Sequence, residues 1–137
     1  MADLKLPSVN YIIIAGRLTQ DPDLRYTPRG TAVCTMRVAV TRWFRDKDTG
    51  ELKDESSFFN VIAWNKWAEL SGERLKKGSA VLIEGQIRSR NWETPTGEKR
   101  YTVEIIARRM QFLDKVSSET QEEEAEPEEL DIPPEEF

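Results

Sequence analysis

Histidine is absent from the 137 residues, and cysteine occurs once, at Cys34. Without imidazole there can be no Ser-His or Cys-His nucleophile pair, no histidine acid/base step and none of the usual zinc ligand sets. A single thiol excludes an intrachain disulfide and points to a reducing compartment. No run of about 18 apolar residues is present to span a bilayer. Met1 to Asn10 also lacks the basic start and apolar stretch of a secretion signal. A cytoplasmic protein with no membrane contact, no metal and no cofactor is the expectation.

Base is missing from one end of the chain. The last 22 residues hold 10 acids and no lysine or arginine, a balance of −10, whereas residues 1–115 hold all 20 basic residues against 15 acidic ones, a balance of +5. The overall charge of −5 therefore conceals a basic body that can hold a polyanion and an acidic tail that repels or mimics one. Seven glutamates lie between Glu119 and Glu129, and apolar residues are sparse from Asp114 onward. Such a segment buries too little surface to offset its ordering entropy and is expected to be disordered. A body of 1–113 and a tail of 114–137 follow, and the body is long enough for one core.

What is present reads as strand. The isoleucine-rich Val9 to Leu18 opens the body and is expected to be buried over much of its length, since adjacent β-branched residues lose rotamer freedom on a helix. Asp21-Pro22-Asp23 and Thr27-Pro28-Arg29-Gly30 mark a loop with two turns. Thr31 to Phe44 and Ser56 to Asn65 form a long hairpin around the turn residues Asp46 to Gly50. Asn65 to Lys77 is the one helix, with Asn65 as its cap, Lys76 and Lys77 at its negative end, Gly78 as a left-handed stop, and Ala68, Ser71 and Leu75 as a narrow apolar face. Ser79 to Trp92 and Arg100 to Leu113 form a second hairpin around the turn Thr94 to Gly97. Along its first arm Val81, Ile83, Gly85 and Ile87 point one way, and Glu84, Gln86, Arg88, Arg90 and Trp92 point the other. Five strands with one helix between the third and fourth is the order of an all-β OB-fold, a five-stranded Greek-key barrel whose second and third strands bind oligonucleotides or oligosaccharides. Gly16, Gly30, Gly78 and Gly85 are the expected bend or bulge points.

The first hairpin interleaves Trp43, Phe44, Phe58, Phe59, Trp64 and Trp67 with Arg37, Arg42, Arg45, Lys47, Lys53 and Lys66. Rings and cations on one strand surface suit base stacking and phosphate neutralisation. Trp92 with Arg88 and Arg90 repeats the pattern. Trp43, Phe59 and Trp67 are assigned to core or interface, Tyr101 and Phe112 to structural roles, and Cys34 to the core.

Several segments together resemble the bacterial single-stranded DNA-binding protein family. They are G-R-L-T-Q-D-P-D-L-R-Y-T-P-R-G-T-A-V (16–33), F-R-D-K-D-T-G-E-L-K (44–53), L-K-K-G-S-A-V-L-I-E-G-Q-I-R-S-R-N-W (75–92), G-E-K-R-Y-T-V-E (97–104) and the I-P-P-E-E-F terminus. The resemblance implies a homotetramer of OB-folds that single-stranded DNA wraps, in a cytoplasmic, nucleoid-associated protein. It places the stacking aromatics on Phe44, Phe58, Trp64 and Trp92, and the basic contacts on Lys47, Lys66, Lys77, Arg88 and Arg90. It further implies that Asp131, Ile132, Pro133, Pro134, Glu135, Glu136 and Phe137 dock on DNA replication, recombination and repair proteins. The chain departs from the family pattern in having phenylalanine at 44 and 58, where many relatives carry tryptophan, and in ending P-P-E-E-F where D-D-I-P-F is usual. Three other functions stand beside this one. They are an interaction hub working through its tail, an RNA-binding barrel, and a Mg²⁺-dependent nuclease. Most acids of the body sit in turns beside basic residues, which argues against the nuclease.

Overall fold

The computed structural model describes residues 4–113, so the tail assignments lie outside the described residues. Six strands and one helix follow in the order β1 (Ile12–Leu18), β2 (Asp23–Tyr26), β3 (Ala32–Arg45), β4 (Leu52–Trp64), α1 (Asn65–Arg74), β5 (Ala80–Glu93) and β6 (Lys99–Phe112). The sheet order is β1-β5-β6-β4-β3-β2, and a further β1–β3 pairing at Arg17↔Ala39 and Leu18↔Val38 closes it into a barrel. The barrel proper uses β1, β3, β4, β5 and β6, with α1 between its third and fourth strands. That is the OB-fold expected from the strand order.

Three local expectations are corrected. The loop read between Asp21 and Gly30 contains β2, which pairs with β3 from Asp23↔Thr35 to Tyr26↔Ala32. Its Leu24 side chain packs onto Gly72 of α1, and that burial outweighs the turn-forming neighbours. The helix stops at Arg74, and Asn65 does not cap it. The cap position is Trp64, which makes no side-chain cap bond, and Asn65 itself takes a left-handed φ of 57°. β1 is shorter than read and alternates, with Ile13 exposed and Ile12 and Ile14 partly buried. Asn10 still extends it: its side-chain amide donates to the Ile87 carbonyl at 2.7 Å and accepts from the Ile87 N–H at 2.9 Å, the two bonds a backbone residue would make.

Alternation fills the barrel. Cys34, Met36 and Val38 of β3, Val61 and Ala63 of β4, Val81 and Ile83 of β5, and Ile105, Ala107 and Met110 of β6 point inward. Trp67 and Ala68 of α1, with Leu75 just beyond its end, plug one end. The Trp67 ring meets Phe112 edge-on at 6.3 Å, so both aromatics are core-side, as expected for them. Burial pushes the Cys34 thiol up to about 11, with Asp23 adding a smaller push. Gly85 sits where β5 turns sharply against β6: Glu84 pairs with Arg109 but Gly85 with Ala107, leaving Arg108 as the extra residue of a β-bulge. A Cβ there would stand 2.0 Å from the Ile106 carbonyl oxygen, so only glycine fits.

Candidate nucleic-acid interface

The outer face of the sheet is built by register. On β3 the residues Val33, Thr35, Arg37 and Ala39 alternate with the core set, and they stand opposite Trp64, Ile62, Asn60 and Phe58 of β4. The short parallel ladder of β4 with β6 sets Asn60 beside Glu104 and Ile62 beside Ile106. β5 then continues the same face, with Gln86 opposite Ile106, Arg88 opposite Glu104, Arg90 opposite Thr102 and Trp92 opposite Arg100. Directly opposed residues in a ladder share a face. Phe58, Trp64, Arg88, Arg90 and Trp92 therefore look out from one curved surface, and Arg37 joins them.

The floor of that surface is a second, small apolar cluster of Ile62, Trp64 and Ile106 with Val33 packed against it. It gives the outer face a rigid base independent of the barrel core. Trp64 belongs to this floor, being only 8% exposed, and its indole N–H makes no hydrogen bond. Phe58 and Trp92 are 52% and 44% exposed, leaving ring faces open to a flat partner. Each carries an arginine: Arg37 lies 5.3 Å from the centre of the Phe58 ring and Arg90 5.3 Å from that of Trp92. Stacked guanidinium groups hold a charge at the rim of a ring, where a phosphate would pass as a base stacks.

On the same face lies a hollow of about 360 Å³ lined by Val33, Thr35, Ile62, Trp64, Arg88, Arg90 and Glu104. A second, more open depression of about 490 Å³ runs along the tip of the β5–β6 hairpin, past Asn91, Trp92, Glu93, Lys99, Arg100 and Tyr101. The lining of the first ends on β5 at Arg90 and that of the second begins at Asn91, with no residue shared.

The remaining expected residues are spread more widely. Phe44 pairs with Lys53 and shares its side of the β3–β4 ribbon with Val40, Arg42 and Phe59, the face opposite Phe58. Arg42 covers the Phe44 ring at 4.7 Å. Lys47 is exposed at the hairpin tip, in a turn held by Asp46, whose carboxylate accepts from the amides of Asp48 and Thr49 and pairs with Lys53 at 2.7 Å. The Lys53 contact first, then those two amides, hold the Asp46 carboxyl below its ordinary value of 3.8. Lys66 is exposed on the first turn of α1, immediately after Trp64. Lys77 is exposed in the α1–β5 connection, its backbone N–H donating to Asp21 at 2.8 Å.

Trp43, assigned to core or interface, is 62% exposed and shares the Phe58 face, so of the two it is not core, and Tyr101, assigned a structural role, is exposed along the second depression. Both sit where the ribbons project beyond the barrel, past the reach of its packing. Glu104 went unnoticed in the sequence, where an acid in Y-T-V-E looks like any solvated strand residue. Its register opposite Arg88 was the available signal. Among the described residues, no group of three or more carboxylate, thiol or imidazole side chains is placed to hold a metal ion. No helix among them is long and apolar enough to cross a membrane.

A closed OB barrel with open rings and arginines along one outer face defines a class, the nucleic-acid-binding OB proteins. The model of the single-strand binding protein family matches residues 9–113, and the chain belongs to that family. It is 44% identical over 110 residues to the single-stranded DNA-binding protein 1 of Xylella fastidiosa, covering 80% of this chain and 81% of that one. It is also 44% identical over 128 residues to the single-stranded DNA-binding protein of Thermotoga maritima, covering 93% and 89%. Among solved structures it is similar to the Plasmodium falciparum SSB in complex with ssDNA, with a TM-score of 0.72 and 28% identity, over 81% of this chain and all of that one.

Proposed function

We propose that the chain binds and protects single-stranded DNA without regard to sequence, by stacking bases on exposed rings and neutralising phosphates with the cations beside them. The observation that carries this reading is the shared outer face of Phe58, Arg37, Arg90 and Trp92 over the Trp64 floor. Membership of the family and the names of the 44% identical relatives support it. Phe58 and Trp92 are the primary platforms, and Trp64 forms part of the wall of the hollow on the same face. Arg88 and Arg90 meet the backbone there. Phe44, Lys47, Lys66 and Lys77 extend the contact around the ribbon tip and the helix end as the strand wraps. The protein acts as a binder and performs no reaction of its own.

The reading includes a homotetramer. Its support is the outer edge of β1, where Ile12–Gly16 are paired on one side only, to β5, and where Tyr11 and Ile13 leave apolar surface uncovered. A second copy would add a strand and cover those side chains. The acidic tail, residues 114–137, is proposed to recruit replication, recombination and repair proteins through Asp131 to Phe137, within the cytoplasm and on the nucleoid. Tryptophan fluorescence titrated with poly(dT) at two salt concentrations tests the binding, and native mass tests the assembly. Quenching that saturates and weakens with salt is expected. Absence of binding at low ionic strength would overturn the proposal. Deleting Pro134–Phe137 should abolish capture of such partners while leaving poly(dT) binding intact.

A further inference from the structure

We infer that Glu104 is a positioning residue for phosphate capture, bracing the guanidinium groups of Arg88 and Arg90 before any nucleic acid arrives. An acid in the middle of a polyanion-binding face is, by charge alone, misplaced. Yet Glu104 is the most deeply set charged group on that face, its side chain only 6% exposed. One carboxylate oxygen accepts from Arg88 at 3.2 Å and the other from Arg90 at 3.4 Å. Its backbone is fixed from both sides, by the parallel pairing with Asn60 and the antiparallel pairing with Arg88.

The two arginines are not equivalent. Arg88 is 20% exposed and forms part of the hollow wall, whereas Arg90 is 56% exposed and also covers Trp92. A guanidinium carries five donors in a rigid fork, and Arg90 gives Glu104 only its Nη2. The carboxylate and the Trp92 ring together hold the fork in one orientation while its other edge can still meet a phosphate. The cluster keeps a net positive charge, two cations to one anion. An arginine without such a brace loses side-chain freedom on capturing its ligand, which weakens binding.

The inference rests on the proposed nucleic-acid face, and the test separates the two. Coulomb's law alone predicts that E104Q, which removes a negative charge, binds DNA more tightly. Bracing predicts the reverse. Titrating E104Q with a short oligo(dT) at a series of salt concentrations should show roughly tenfold weaker binding at low salt, about what one hydrogen bond to a charged group contributes. The salt slope should be shallower by about 0.7 for one lost phosphate contact. Equal or tighter binding by E104Q, with R90A weakened, overturns the brace and leaves the face standing. Unchanged binding by both R90A and W92A overturns the face and the brace together. If E104Q does not fold, the wild-type chain answers by NMR: slow rotation about the Arg90 Cζ–Nη bonds in the free protein is expected, and free rotation there overturns the inference.

Discussion

At the scale of single residues, exposure decides which ring does what. Trp92 stands open with Arg90 against it, so its truncation removes a stacking platform while the barrel stays packed. Trp92→Ala should cost about 1–3 kcal/mol of oligo(dT) binding with little change in the urea midpoint, measured by fluorescence titration and denaturation on the same sample. Trp64→Ala is a different experiment, because that ring supports the outer cluster and its loss opens a cavity. Cys34 supplies a prediction of pH. Its thiol is raised from 9.0 to about 11 by burial, with Asp23 second. The folded value lies above the unfolded one, so the stability held in the neutral thiol is complete below about pH 9 and is lost as pH rises toward 11. At pH 8 the folded chain should react slowly with a thiolate-selective disulfide reagent and rapidly once unfolded in denaturant, which absorbance at one wavelength follows.

At the scale of elements, the two long hairpins project beyond the barrel, and their faces are set by turns and one bulge. Period-two patterning made the outward set Glu84, Gln86, Arg88, Arg90 and Trp92 legible in the sequence, and the structure keeps those five on one face. The turn residues at Asp46–Gly50 and Thr94–Gly97 were equally readable, because their chemistry is local: Gly50 donates to Asp46 and Gly97 to Thr94. What stayed hidden was non-local. Strand β2 exists because Leu24 reaches α1 across the chain, and neither the sharing of Glu104 by a second arginine, Arg90, nor the opposite facing of Phe44 and Phe58 follows from neighbours in sequence. The bulge at Gly85 tests how far one backbone position controls the arm that follows it. Gly85→Ala places a methyl against the Ile106 carbonyl, so the ladder must shift and the arm from Gln86 to Trp92 re-aims. A loss of about 1–3 kcal/mol in stability is expected from the overpacking, read as a lower urea midpoint at fixed protein concentration. Weaker oligo(dT) binding should accompany it, beyond what the unfolded fraction explains.

At the scale of the whole molecule, charge is segregated along the chain. The body carries +5 and the last 22 residues −10, so the segment that would recruit partners is also a polyanion tethered to a polyanion-binding surface. Tethering raises its effective concentration, which lets an individually weak ligand compete. The competition is electrostatic, hence strong where the screening length is about 30 Å, near 0.01 M salt, and small where it is about 3 Å, near 1 M. Removing residues 116–137 converts a net charge of −5 into +5. The shortened chain should bind poly(dT) more tightly than the full chain at low salt, with the difference closing as salt rises. It should also show a steeper fall of log affinity with log salt, because the full chain exchanges tail contacts for phosphate contacts where the shortened one releases only small ions. Titrations of both chains at four salt concentrations would decide the matter. Parallel lines for the two would show that the tail never visits the DNA face, and would confine it to binding other proteins.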